Sequence, residues 1–268
     1  MTIRLPLVFA ILLLVSPIAI AGELKLSGEF SQGGLIVGWA THGASITLDG
    51  NRISQARSGE FLLGFARRAD RMSQLNVIFA DGSTAQRKLT IKQRKYDIQR
   101  IDGLPKRKVT PSAEDLARIK NERTLIDRAR KTKVAEPLFA AGFGRPVNGR
   151  ISGVYGSQRI LNGQKRRPHY GQDIAAAQGT KIKAASAGVV IFAHPGMFFN
   201  GKTVIINHGL GLLSTYIHMN TVEVKVGEHV AKGQTIGEVG QTGRATGPHL
   251  HWGLTLNKTP LDPALIIN

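Results

Sequence analysis

The chain has no cysteine. No disulfide braces it, no thiolate serves as nucleophile or metal ligand, and no lipidated N-terminal cysteine tethers it. Aromatic residues are sparse, at 6% of 268 positions. Acid is scarce too: 18 Asp and Glu face 36 Lys and Arg, a formal net charge of +18 at pH 7. So strong a positive field draws a protein to polyanions. The length allows one or two domains with real cores.

The first 21 residues read as a secretory signal. Arg4 supplies the positive start, Leu5 to Ile20 is almost wholly apolar, and Ala19-Ile20-Ala21 makes a small-residue cleavage site before Gly22. The apolar run is shorter than the ~20 residues a spanning helix needs, and Pro17 interrupts it. An exported protein, periplasmic or extracellular and associated with the cell wall, follows. With Arg4 removed the net charge is +17. The polyanions to expect are then cell-envelope polymers or lipid head groups, and not nucleic acid.

Residues 22–95 carry short β-rich runs such as Leu35-Ile36-Val37, Ile46-Thr47-Leu48 and Leu75-Asn76-Val77-Ile78-Phe79, with Asp49-Gly50 and Asp81-Gly82 placed as hairpin turns. An immunoglobulin-like β-sandwich fits their number and spacing. With no cluster of acids, histidines or nucleophiles, this reads as a positioning or wall-binding module, and His42 as a loop residue. Residues 96–138 form a basic linker, with Lys106-Arg107-Lys108, and a helix. Thr110 is the expected N-cap and Pro111 the first helical residue, with Glu114 and Asp115 suited to the positive end of the dipole. From 139 to 268 strands return, punctuated by Gly188, Gly201, Gly211, Gly227, Gly233 and Gly240, which implies an antiparallel sheet with tight turns.

The chemistry-bearing residues lie in this last part. Thr246-Gly247-Pro248-His249-Leu250-His251-Trp252-Gly253-Leu254 reads as a turn followed by a strand. In a strand, residues i and i+2 share a face, so His249 and His251 project together while Leu250 turns inward. Upstream stands a second cluster, His169-Tyr170-Gly171-Gln172-Asp173. A hydrolytic zinc site needs three His or carboxylate ligands and leaves a position for water; the two stretches together can supply that set.

These two motifs, with Tyr216-Ile217-His218 between them, resemble the lysostaphin-type or LytM-type zinc metallopeptidases, which cut peptide bonds in bacterial peptidoglycan. The likeness runs from about Phe143 to Pro263. It implies an antiparallel β-fold crossed by a narrow groove, a duplicated-hybrid-motif architecture. By resemblance His169, Asp173 and His251 hold one Zn2+ per chain, with Gly171 letting the backbone bend between the first two. His218 and His249 are implied as the catalytic proton carriers and oxyanion donors. Tyr216, Asn162 and Arg159 are candidate substrate contacts. His194, His208 and His229 lie outside the motifs and read as structural or exposed. Met219-Asn220 after His218 and Trp252-Gly253 after the last ligand depart from the usual pattern without touching a ligand.

The overall expectation is a mainly β protein: N-terminal sandwich, linking α-helix and C-terminal metallopeptidase domain. Its function would be that of a monomeric, secreted zinc metalloendopeptidase acting on peptidoglycan cross-links or stem peptides. The alternative is a non-catalytic wall-binding or hydrolase-activating protein whose zinc only braces the fold.

Overall fold

The computed structural model describes residues 22–267. The signal predicted over residues 1–21 lies outside the described residues.

The N-terminal part is built from β1 (Leu24–Gly28), β2 (Leu35–Ala40), β3 (Ser45–Leu48), β4 (Asn51–Ile53), β5 (Glu60–Gly64), β6 (Met72–Ile78) and β7 (Thr84–Thr90). They form two antiparallel sheets, ordered β1-β2-β5 and β4-β3-β6-β7. Strand β6 shows why: Ser73, Leu75 and Val77 are buried while the residues between them are less so, the period-2 pattern of a half-covered strand. The β3–β4 turn has Asp49 at φ 49° and Gly50 at φ 78°, the paired positive φ that a two-residue hairpin requires. Both sheets bury one cluster, Ile36, Phe61 and Leu63 from the first against Ile46, Leu75 and Val77 from the second.

The linker is not a free tether. Its strand β8 (Ile98–Ile101) runs parallel to β10 (Gln158–Leu161), so it is stitched to the C-terminal part. A short helix α1 (Lys106–Val109) follows, then α2 (Ala113–Ala129). The expected cap at Thr110 is corrected: Ser112 is the N-cap, its hydroxyl accepting from the Asp115 N–H at 3.2 Å. Thr110 instead ends α1, its N–H bonded to the Lys106 carbonyl. Helix α2 packs a thin stripe, Ile126 and Ala129, on Ile191, Phe192 and Leu213, and leaves Leu116 and Leu125 exposed. The Glu122 carboxylate accepts from the Phe198 N–H at 2.9 Å, fixing the helix to a hairpin tip.

The C-terminal part comprises β9 (Arg150–Gly153), β10 with its partner β11 (Gln164–Lys165), β12 (Gln172–Ala175), β13 (Lys181–Lys183), β14 (Gly188–Met197), β15 (Gly201–Asn207), β16 (Leu212–Val222), β17 (His229–Val230), β18 (Thr235–Val239), β19 (His249–Leu256) and β20 (Thr259–Leu261). The main sheet is antiparallel, ordered β17-β14-β15-β16-β19-β12-β9, with β18, β13 and β20 alongside. Its core holds Ile174, Val204, Ile206, Tyr216, Leu250, Trp252 and Leu254, all fully buried. Leu35 and Leu62 of the N-terminal sheets join this core, and Arg94 bridges Asp262 at 2.8 Å. The two parts are therefore packed together.

Candidate active site

Strand register builds the site. In the β12–β19 pair Asp173 stands opposite His251 and Ala175 opposite His249. Directly opposed residues of an antiparallel pair share a face, and the Asp173 Oδ1 to His251 Nδ1 distance is 2.7 Å. His169 precedes β12; its N–H donates to the Ser157 carbonyl at 2.8 Å and its carbonyl accepts from Gly156 at 2.7 Å, so the loop is tied at both ends. Its Nε2 reaches Asp173 Oδ1 at 3.0 Å and His251 Nδ1 at 2.9 Å. Three donor atoms from three places in the chain thus meet within hydrogen-bond distance.

Gly171 makes this approach possible, for a reason other than the one expected. It has no left-handed φ. A Cβ there would lie 2.6 Å from the Trp252 carbonyl oxygen and 2.7 Å from the His251 ring. The glycine supplies room for β19 to come close rather than a bend.

His218 enters the same space through an irregularity of β16. The β15–β16 register passes from Val204↔Tyr216 to Lys202↔Met219, so Ile217 and His218 oppose Thr203 alone. This is a β-bulge, the device by which strands re-aim a side chain. At the same point β16 changes neighbour: pairing with β19 ends at Ile217↔His251, and pairing with β18 begins at Met219↔Val239. His218 sits there with φ 65°, a conformation that costs a non-glycine residue about 1–3 kcal/mol and that surrounding structure must impose. Its ring lies 4.8 Å from that of His249 and 6.3 Å from that of His251, centroid to centroid.

Backbone carbonyls fix the tautomers. His169 Nδ1 donates to Val154 at 3.0 Å, His218 Nδ1 to Thr242 at 2.8 Å and His249 Nδ1 to Gly247 at 2.8 Å. In each neutral ring Nε2 is then the atom with the free lone pair. Burial holds His218 well below the usual imidazole range, helped by His249 and His251. It also pushes His251 down to about 4 against the raising effect of Asp173. Burial alone would raise the Asp173 carboxyl, but hydrogen bonds from His169 and His251 outweigh it and hold the group well below the carboxylate range. The second Asp173 oxygen accepts from Arg159.

His169, Asp173 and His251 form the group among the described residues able to hold a metal ion. The donor set fits zinc. With the His169 proton committed to Val154, the three facing atoms share at most one proton, so lone pairs crowd a space that a cation would relieve. Donors no more than 3.0 Å apart can all be reached by one ion at zinc–nitrogen and zinc–oxygen lengths of ~2.0–2.2 Å. The outer partners are also present, Val154 on the first imidazole and Arg159 on the carboxylate.

The site opens into a cavity of about 310 Å³, lined by Asp173, His218 and His249 together with Arg150, Arg159 and Arg244. Gln99, Ile101 and Leu104 of the linker form one wall. Of the substrate contacts expected from sequence, Arg159 lines this groove. Tyr216 does not: it is fully buried, its hydroxyl accepting from the Ala185 N–H at 2.9 Å inside the core. Asn162 is also corrected. Its side chain clasps Leu104, accepting from the N–H at 3.2 Å and donating to the carbonyl at 2.7 Å, so it holds the linker instead of a ligand. His208 is buried and bonded to the Ala187 carbonyl and to Ser214, each at 2.7 Å, as a structural histidine should be.

Sequence reading missed Arg244 and the linker wall. Arg244 had a signal, as the one basic residue of the Gly243-Arg244-Ala245-Thr246-Gly247 turn that leads into the histidine strand. The wall had none, because it depends on which strand β8 joins.

Known proteins bear on this geometry. A family model described as Peptidase family M23 matches residues 167–263. Peptidoglycan DD-endopeptidase ShyA of Vibrio cholerae is 39% identical over 116 residues, covering 42% of this chain and 26% of the relative. Cell division protein DipM of Caulobacter vibrioides is 30% identical over 154 residues, 54% of this chain and 24% of the relative. The likeness thus spans about a quarter of these relatives' length. A crystal structure of a candidate M23 peptidase from Pseudomonas aeruginosa superposes with TM-score 0.67 at 28% identity, covering 88% of this chain and 94% of that one. The chain therefore carries a peptidase family M23 domain of the LytM/lysostaphin type over residues 167–263.

Proposed function

We propose that this chain is an exported zinc metalloendopeptidase that hydrolyses peptide cross-links or stem peptides of bacterial peptidoglycan. The observation that carries it is the meeting of a His169–Asp173–His251 donor triangle with the His218–His249 pair beside one groove, which Asp173, His218 and His249 line. The likeness to ShyA, a peptidoglycan DD-endopeptidase, supports the substrate class. In this reading residues 1–21 are a cleaved leader, 22–95 a positioning module, 96–138 a linker and helix, and 139–268 the peptidase, acting as a monomer in the periplasm or outside the cell. The basic surface would hold it to anionic envelope polymers.

One zinc per chain, held by His169, Asp173 and His251, would polarise the scissile carbonyl and make its water a usable nucleophile near neutral pH. The protein's own residues do the rest. Val154 and Arg159 keep the ligands oriented. His218, its Nδ1 proton engaged by Thr242, presents Nε2 as an acceptor for the proton leaving water. His249, with Nδ1 on Gly247, likewise faces the groove through Nε2 and, when protonated, donates to the developing oxyanion or to the departing amine.

Purified peptidoglycan digested by the mature zinc-loaded protein, beside His251→Ala and His218→Ala, tests this. New peptide ends, identified by mass spectrometry and made only by the parent, support the endopeptidase. Full activity in His218→Ala overturns the catalytic assignment. Stoichiometric zinc in the parent with no fragments released leaves the hydrolase-activating alternative.

A further inference from the structure

The groove carries more positive charge than the proposed chemistry uses. Arg150, Arg159 and Arg244 line it, and Asp173 is the one carboxylate among its lining residues. Asp173 is committed, one oxygen to His169 and His251 and the other to Arg159. Neither Arg150 nor Arg244 has an ion-pair partner among the described residues. Arg150 is exposed at the rim. Arg244 is half-buried, lies over the Phe199 ring at 4.4 Å and donates at 3.4 Å to the Lys108 carbonyl, so its fork is held but not neutralised. Burial, with Arg159 and Arg166 nearby, lowers it to about 10. A partly desolvated guanidinium facing like charge is costly unless an anion completes it. Gln99 of the linker wall accepts from Arg159 Nε at 3.3 Å and turns that side chain toward the same space.

We propose that Arg150 and Arg244 form a carboxylate subsite beside the reacting centre, selecting peptides that carry a free carboxylate close to the scissile bond over uncharged bridges of the glycine type. The planar fork of arginine pairs with carboxylate through two parallel hydrogen bonds, which fixes orientation as well as adding attraction. The inference rests on the peptidase reading and narrows its substrate class to acidic stem peptides.

The test uses peptidoglycan sacculi in two forms, native and with the peptide carboxylates amidated by carbodiimide and ammonia. The full mature chain, Arg244→Gln, Arg244→Lys and Arg150→Gln are compared by initial rate of fragment release against sacculus concentration. The parent should lose about tenfold to a hundredfold in kcat/KM on amidated sacculi, the scale of one charge-assisted hydrogen-bonded pair. Arg244→Gln should fall to that level on native sacculi, mainly through KM, and become indifferent to amidation, while Arg244→Lys recovers part of the loss. Equal rates of the parent on both forms, or an Arg244→Gln variant that keeps the parent's preference, would overturn the subsite while leaving the peptidase standing. No release by the parent from native sacculi sinks the peptidase reading and the subsite with it. Should Arg244→Gln lose zinc or thermal stability, Arg150→Gln decides, since that residue is exposed and its loss of preference cannot come from misfolding.

Discussion

Replacing Gly171 by alanine isolates the claim that close approach of two strands sets the metal site. The added Cβ would meet the Trp252 carbonyl oxygen at 2.6 Å and the His251 ring at 2.7 Å. Neither neighbour can step aside: one is backbone in β19 and the other is a candidate ligand. The strands must part by about half an ångström, because a close-packed interior has no slack to absorb the methyl group. The 2.7 Å contact between Asp173 and His251 then stretches beyond a good hydrogen bond, and the donor triangle opens. Such overpacking costs about 1–3 kcal/mol of stability. Zinc affinity should fall about tenfold to a hundredfold, as when the groups that orient metal ligands are disturbed. Competition with a chromophoric zinc chelator measures the affinity, and a thermal melt of the metal-free protein measures the stability separately. A Gly171→Ala variant that binds zinc as tightly as the parent would refute the reasoning.

Three further outcomes are expected. His218→Ala should keep equimolar zinc, since its ring is not among the three donors, while cleavage falls about 10²- to 10⁴-fold, the range for losing a general acid–base group; zinc content by atomic emission beside the fragment-release rate checks both. His208 has a folded value pushed down to about 4 by burial, against an ordinary 6.5. The unfolded chain therefore binds its proton first, so the contribution of neutral His208 is complete above pH 6.5 and is lost as pH falls toward 4. About 3 kcal/mol is at stake, and urea melts should show a weaker dependence on pH over this window in His208→Gln. Ser112→Ala removes the N-cap of α2 and should cost about 1 kcal/mol, seen as a melting point lower by about 2–4 °C.

What could be read from sequence follows from the range of the interactions involved. Period-2 alternation is local, so the strand carrying His249 and His251 was visible, and with it their shared face. The Asp49-Gly50 turn is local too, and its paired positive φ angles are what such a dipeptide predicts. Helix α2 was visible but its start was misplaced by two residues, because Thr110 and Ser112 are both good caps and the competition between them is settled by α1, which claims Thr110. The grouping of His169 and Asp173 with His251 came from resemblance, since nothing local says that residues 78 apart stand opposite one another at 2.7 Å. Tyr216 and Asn162 were misjudged for a related reason: proximity to a motif in sequence does not say which face of a strand a side chain takes. Tyr216 points into the core, where its hydroxyl caps a buried N–H, and Asn162 is spent on the linker.

The placement of His218 could not have been read at all, and the reason bears on how the site is held. An alternating strand running unbroken through β16 would carry His218 in register with one neighbour. Instead the chain inserts a residue, adopts φ 65° and exchanges β19 for β18 at that position. Three independent ties make the strained conformation hold: the His218 N–H to the Asn200 carbonyl at 2.8 Å, its Nδ1 to the Thr242 carbonyl at 2.8 Å, and the Thr242 hydroxyl to the Met219 carbonyl at 2.9 Å. A glycine there would relieve backbone strain but delete the imidazole. Any other residue would keep the strain with no group to aim. The bulge is thus favourable only with its ties intact, and its effect is to turn one imidazole away from sheet packing and toward His249 and His251.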